Sequence, residues 1–336
     1  MIFLRKILFP FAIIYGWITQ FRNFLFDVGI IKSYSFELPI IVVGNLSVGG
    51  TGKTPQIEYL IRLLGSKFKL ATLSRGYKRK SEGFILANNQ TFAETIGDEP
   101  FQFYKKFPAI QVAVDADRKN GIEQLLLQAE RPEIILLDDA FQHRKVKAGF
   151  YILLTAFDDL FCDDYMLPTG NLRERRAGAL RADVVIVTKC PATISKKEKE
   201  IIRGKINAKQ PIFFTTISYD TYVYSTQDRL TVNEVKSTSK LLLAGIANPK
   251  RFFEHLKQNN DIILEYPDHH HFTDSDIADI NRQAKNNLII TTEKDYVRLI
   301  GKFPSNKLYY LPIQTSFIDD SSNFDAIILN YISSVN

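Results

Sequence analysis

Residues Pro39–Pro55, PIIVVGNLSVGGTGKTP, decide how the chain is read. Pro39–Gly44 is an unbroken, β-branched apolar run, the mark of a strand covered on both faces. Ser47-Val48-Gly49-Gly50-Thr51-Gly52-Lys53-Thr54 follows. Pro55 then suits the first turn of a helix, where its missing N–H costs nothing. Strand, glycine-rich loop and helix start together make a phosphate-gripping P-loop. The glycines let backbone N–H groups converge on phosphate oxygens, and the helix end adds its positive dipole. In such a loop Lys53 reaches the β- and γ-phosphates and the Thr54 hydroxyl ligates Mg²⁺. The strict pattern asks for Gly where this chain has Ser47; the flanking strand, the helix and Gly49-Gly50 offset that departure.

Working outward, further short apolar runs alternate with helical stretches: Lys69–Ser74, Ile110–Val114, Glu133–Asp138, Tyr151–Thr155 and Asp183–Thr188. Continuous rather than alternating strands, separated by helices, predict a parallel α/β sheet. Ser195–Lys209, rich in Lys, Glu and Ile, reads as a surface helix. Ile212–Ser218 and Arg229–Val232 read as strands crossing between domains. A second α/β series follows at Lys240–Gly245, Ile262–Tyr266, Asn287–Thr292 and Lys307–Pro312. The expected organisation is an N-terminal helical region over 1–30, a P-loop core over 31–194, a linker over 195–235 and a smaller α/β domain over 236–336.

Ile134-Ile135-Leu136-Leu137-Asp138-Asp139 is the expected Walker B strand, its terminal carboxylates placed to hold or orient Mg²⁺ beside the loop. Adjacent Asp side chains leave a strand on opposite sides, so the two need not share one role. A regulatory GTPase needs Asn-Lys-x-Asp to read guanine. The nearest match, Thr188-Lys189-Cys190-Pro191, lacks the Asp. A partitioning ATPase carries a signature lysine before the glycine pair, where this chain has Val48. Neither class is supported.

The formal net charge of +6 fits an anionic partner such as nucleotide phosphate, acidic lipid or nucleic acid, as well as an ordinary basic surface. Two cysteines, Cys162 and Cys190, offer neither a metal spacing nor a disulfide framework, which suits a reducing compartment. Residues 1–26, MIFLRKILFPFAIIYGWITQFRNFLF, are apolar with Arg5, Lys6 and Arg22 interspersed. The clean apolar run, Ile7 to Ile18, falls short of the roughly 20 residues a spanning helix needs. No small-residue cleavage site follows to make it a signal peptide. An in-plane membrane helix, or a first helix packed on the protein's own core, are the remaining readings.

Beyond the loop, Ser74-Arg75-Gly76-Tyr77-Lys78, Gly97-Asp98-Glu99-Pro100, Asp138-Asp139-Ala140-Phe141-Gln142-His143, Leu167-Pro168-Thr169-Gly170-Asn171-Leu172-Arg173-Glu174, Asp268-His269-His270-His271-Phe272 and Thr291-Thr292-Glu293-Lys294-Asp295 occur in order along most of the chain. With Gly44–Pro55, in which Ser47 is itself a family trait, they closely resemble the tetraacyldisaccharide 4′-kinases. Ala140 departs from the Gly that many members carry.

The resemblance implies transfer of the ATP γ-phosphate, with Mg²⁺, to the 4′-hydroxyl of a lipid A disaccharide 1-phosphate. It implies peripheral attachment to the cytoplasmic face of the inner membrane through the N-terminal helix, and no nucleic-acid partner. Asp98 resembles the family's catalytic carboxylate, expected on a turn between Gly97 and Pro100. His269 aligns with its histidine partner, although His270 and His271 leave the register open. Thr54, Asp138, Asp139 and Glu174 are the expected Mg²⁺ and water-network groups, the direct ligand among the three carboxylates being open. Arg75, Lys78 and Arg173 are expected to hold phosphates, the arginines through forked hydrogen bonds. The competing expectation, from a different class, is a membrane-associated P-loop switch that hydrolyses nucleotide without a lipid acceptor.

Overall fold

The computed structural model describes residues 5, 7–268, 270–319 and 321–335. The apolar runs of the first half form β1 (Ile40–Asn45), β2 (Leu70–Ser74), β3 (Ile85–Leu86), β4 (Gln111–Val114), β5 (Ile134–Asp138), β6 (Phe150–Ala156), β7 (Val184–Thr188) and β8 (Ile212–Tyr219). Successive residues of β1 enter opposite cores, Ile40 and Val42 on one face of the sheet and Ile41 and Val43 on the other. That double burial is why the strand reads as an unbroken apolar run.

One core is closed by Ile122 and Leu125 of the Arg118–Leu126 helix and by Ile202 and Ile206 of the Lys196–Ile206 helix. The other is closed by Ile57, Leu60 and Leu64 of the Lys53–Leu64 helix, joined by Phe324, Ile328 and Ile332 of the Ser321–Val335 helix. β4, β2, β5, β1, β6, β7 and β8 lie side by side and parallel. The P-loop strand β1 therefore sits directly beside the Walker strand β5, with Val43 opposite Asp138. Gly44 lets the two meet: a Cβ there would lie 2.7 Å from Phe141 Cβ and 3.0 Å from the Phe141 nitrogen.

The second sheet holds β9 (Tyr222–Tyr224), β10 (Arg229–Thr231), β11 (Lys240–Ala244), β12 (Ile262–Glu265), β13 (Leu288–Thr292) and β14 (Leu308–Leu311), in the order β10-β9-β14-β13-β11-β12. Two boundaries differ from the sequence expectation. Residues 195–235 are not a linker: the Lys196–Ile206 helix and β8 complete the first sheet, while β9 and β10 begin the second. Nor does 236–336 stay in one domain. β15 (Ile313–Phe317) returns antiparallel to β8, and the Ser321–Val335 helix lies on the first core. The chain thus crosses between the domains twice, and the second domain is an insertion into the first.

The apolar N-terminus forms a helix over Phe9–Asp27. Only a narrow stripe of it is buried: Ala12, Gly16 and Thr19, spaced to share one face. Tyr15 Oη donates to the Arg173 carbonyl at 3.1 Å, and Asn23 Nδ2 donates to Glu174 Oε2 at 3.0 Å. Phe11, Ile14, Trp17, Ile18 and Phe21 stand exposed, each more than half accessible. The helix is therefore both core-packed along one stripe and openly apolar elsewhere. Among the described residues, no helix is long and apolar enough to cross a membrane.

Candidate active site

The loop's shape follows from its glycines. Gly49 and Gly52 take φ of 123° and 83°, conformations an L side chain resists, and Gly52 caps the Lys53–Leu64 helix. Ser47 has no such demand. It lies in an extended bridge with Leu172, and the Val48 N–H donates to the Asn171 carbonyl at 2.8 Å. A side chain is tolerated there because that part of the loop behaves as a strand. The Leu167–Glu174 motif is thereby bound to the back of the P-loop. From the other side Thr188 Oγ1 donates to the Thr51 carbonyl at 2.8 Å, and Lys189 Nζ donates to the Gly50 carbonyl. The helix begins at Lys53, which puts Pro55 in its first turn.

Acidic groups gather beside the loop. Lys53 Nζ lies 3.6 Å from Asp139 Oδ1, and Arg173 Nη1 donates to both Asp139 oxygens at 3.0 and 3.2 Å. Burial acts to raise the Asp139 carboxyl, but Lys53 and Arg173 outweigh it and hold the group below the ordinary range. Asp138 behaves oppositely. Burial, then the charges of Glu99 and Asp139, push it up to about 7 against the pull of Lys53 and Arg118. Its Oδ2 accepts from Ser74 Oγ at 3.3 Å, while its buried Oδ1 has no partner among the described residues. Glu99 Oε1 accepts from Thr54 Oγ1 at 3.3 Å.

An orphaned carboxylate oxygen, a hydroxyl and a second carboxylate crowded together are the donor set of a hard divalent cation. Among the described residues no three His, Cys, Asp or Glu side chains make a complete protein cage.

Glu174 does not join this cluster. It is buried, and its carboxylate accepts from Arg181 Nη2 at 2.7 Å, Gln142 Nε2 at 3.0 Å and Asn23 Nδ2. Three donors meet its two oxygens, so Glu174 fastens the N-terminal helix and the Walker segment together. Arg75 and Lys78 stand exposed just beyond β2, Lys78 in the left-handed region with φ of 59°.

Asp98 is the first residue of the Asp98–Lys106 helix rather than part of a free turn, with Gly97 at φ of 93° before it. Its Oδ2 accepts from Arg298 Nε at 2.9 Å. His269 lies outside the described residues. His270 pairs with Asp276, Nε2 to Oδ2 at 3.0 Å, at the start of the Asp274–Ala284 helix.

Three groups had no assigned role from the sequence. Glu99 was within reach, being one residue from Asp98. Arg118 was not: it opens a helix and reads as a surface cation, yet it is buried, donating to the carbonyls of Asp115 and Asp138. Burial lowers it to about 10, so it stays charged at neutral pH. His143, pushed down to about 4 by burial and then by Arg118 and Arg75, is uncharged there.

A family model for tetraacyldisaccharide-1-P 4′-kinases matches residues 4–333. The chain belongs to this family. It is 66% identical to a tetraacyldisaccharide 4′-kinase of Flavobacterium psychrophilum, covering 99% of this chain and 98% of the relative. It is 43% identical to that of Bacteroides thetaiotaomicron over 98% of this chain and 93% of the relative. The crystal structure of LpxK from Aquifex aeolicus in complex with ATP superposes with a TM-score of 0.81 at 30% identity, covering 98% of this chain and 99% of that one. Membership in the tetraacyldisaccharide 4′-kinases makes the chain an ATP-using kinase and excludes the switch that lacks a lipid acceptor.

Proposed function

We propose that this chain passes the γ-phosphate of ATP to the 4′-hydroxyl of a tetraacyldisaccharide 1-phosphate, with Asp98 as the base. The supporting observation is adjacency. Asp98 precedes Glu99, whose carboxylate meets the Thr54 hydroxyl at 3.3 Å, so the candidate base stands at the edge of the phosphate pocket. An alcohol is a weak nucleophile at neutral pH, and a carboxylate that takes its proton as the P–O bond forms lowers the barrier.

Backbone N–H groups of the Gly49–Thr54 turn that the loop leaves unpaired, together with Lys53 Nζ, hold the β- and γ-phosphates. Arg173 and the buried Arg118 keep Asp139 and Asp138 in place and add positive charge where the transferring phosphoryl group is most anionic. Thr54, Asp138 and Glu99 would hold Mg²⁺, which would offset the negative charge of the phosphates. Arg75 and Lys78, exposed at the C-terminal edge of the sheet, face the acceptor's 1-phosphate. The exposed apolar face of the Phe9–Asp27 helix lies in the membrane interface and brings the site to its lipid, at the cytoplasmic leaflet where ATP is available.

The test is transfer of γ-labelled phosphate to acceptor in detergent micelles by the wild-type chain and by Asp98→Asn. The variant should lose at least about 10²-fold in kcat with little change in KM for ATP. A loss confined to KM would make Asp98 a binding residue instead.

A further inference from the structure

The carboxylate placed at the acceptor is gripped by the other domain. Arg298, on the Glu293–Leu299 helix, directs Nε and Nη2 at the same oxygen of Asp98, Oδ2, the first at 2.9 Å. Asp98 Oδ1 accepts no hydrogen bond among the described residues, so one oxygen is anchored and the other is left to take a proton. The guanidinium is itself braced. Its Nη1 donates to Asp295 Oδ1 at 3.3 Å. The buried Asp295 in turn receives, on Oδ2, the Gly245 N–H at 2.8 Å and the Thr292 hydroxyl at 2.6 Å. The bracing carboxylate is thus fixed to the ends of β11 and β13, the centre of the second sheet.

The helix carrying Asp98 and the helix carrying Arg298 also pack directly, with Phe101 and Val297 in one apolar cluster. At the far end Lys106 bridges Glu58 and Glu293, at 2.8 Å from each. The Asp98 helix is held at both ends by the inserted domain.

We propose that Arg298 is a positioning residue for phosphoryl transfer: its forked contact sets the aim of Asp98, so the seat of the second domain fixes the geometry of proton removal. The proposal rests on the reading of Asp98 as the base. A planar fork braced from behind restricts a carboxylate's rotation, which a point charge does not. A misplacement of about 1 Å at a reacting group costs roughly 10²-fold in rate.

The test is a double-mutant cycle on the full chain, reading kcat and KM for ATP. Arg298→Met is expected to lower kcat about 10- to 100-fold with KM for ATP within about twofold, and Arg298→Lys to recover only part of the loss. In an Asp98→Asn background, Arg298→Met should cost nothing further, because the group it aims is gone. A merely structural arginine would cost the same in both backgrounds, and that result overturns the proposal, as does wild-type kcat in Arg298→Met. If Asp98→Asn is itself fully active, the base reading falls and takes this inference with it. If Asp98→Asn is inactive and Arg298→Met is not, only the inference falls. Should Arg298→Met unfold early in a thermal melt, Arg298→Lys carries the same cycle.

Discussion

Trp17 offers the sharpest test of how the N-terminal helix is used. Its side chain is 67% exposed on a helix whose opposite stripe is buried against the core. A large aromatic side chain buries about 150–250 Å² when covered, so roughly 150 Å² of Trp17 stands in water. At about 25 cal/mol per Å², complete withdrawal is worth ~4 kcal/mol, and half-immersion in a membrane interface ~2 kcal/mol. Trp17→Ser should therefore lower partitioning onto phospholipid vesicles about 30-fold, a factor of ten accompanying each ~1.4 kcal/mol. The assay is co-sedimentation with anionic vesicles across a lipid titration, with nucleotide affinity measured on the same samples. Nucleotide affinity should not change, since Trp17 touches none of the phosphate-binding groups. Equal partitioning of variant and wild type would refute the claim that this face enters the interface.

Gly44→Ala would drive a Cβ into Phe141 at 2.7 Å and should destabilise the chain by about 1–3 kcal/mol, seen as a lower thermal midpoint; an unchanged midpoint contradicts the close packing of β1 on the Walker segment. Lys53→Ala should reduce kcat/KM by about 10³-fold through lost charge on the β- and γ-phosphates, in a phosphate-transfer assay; near-normal turnover would remove Lys53 from the site. With its carboxyl raised to about 7, Asp138 is partly protonated at neutral pH before any cation binds. Protons compete with Mg²⁺ for the charged form, so Mg²⁺-dependent nucleotide affinity should rise from pH 6 to 8 by about tenfold and then level off. Asp138→Asn should bind weakly and lose that slope, and a slope retained in the variant would assign the titration to another group.

The sequence showed what local pattern can carry. A strand buried on both faces has to be apolar at every position, and a P-loop has to have glycine where φ is positive, so β1, β5 and Gly49–Thr54 were legible. Motif order supplied the family. Features that depend on distant partners were not visible. Glu174 looks like a third acid of the Walker group, and only its contacts with Asn23, Gln142 and Arg181 show it to be a buried brace. Arg118 carries a charge that argues for the surface, yet it shares the buried face of its helix with Gly121, Ile122 and Leu125, where two backbone carbonyls meet its guanidinium. β15 is a short run after a proline, and nothing local says that it returns to β8. Arg298 lies 200 positions from the carboxylate it holds, a pairing that the arrangement of the two sheets creates.

Phosphate transfer itself is read by incubating the purified chain with γ-labelled ATP, Mg²⁺ and a tetraacyldisaccharide 1-phosphate in detergent and separating the lipid products. Label should appear in a bis-phosphorylated lipid, dependent on Lys53 and Asp98. ATP hydrolysis that ignores the acceptor, with no label entering lipid, would contradict the proposed transfer.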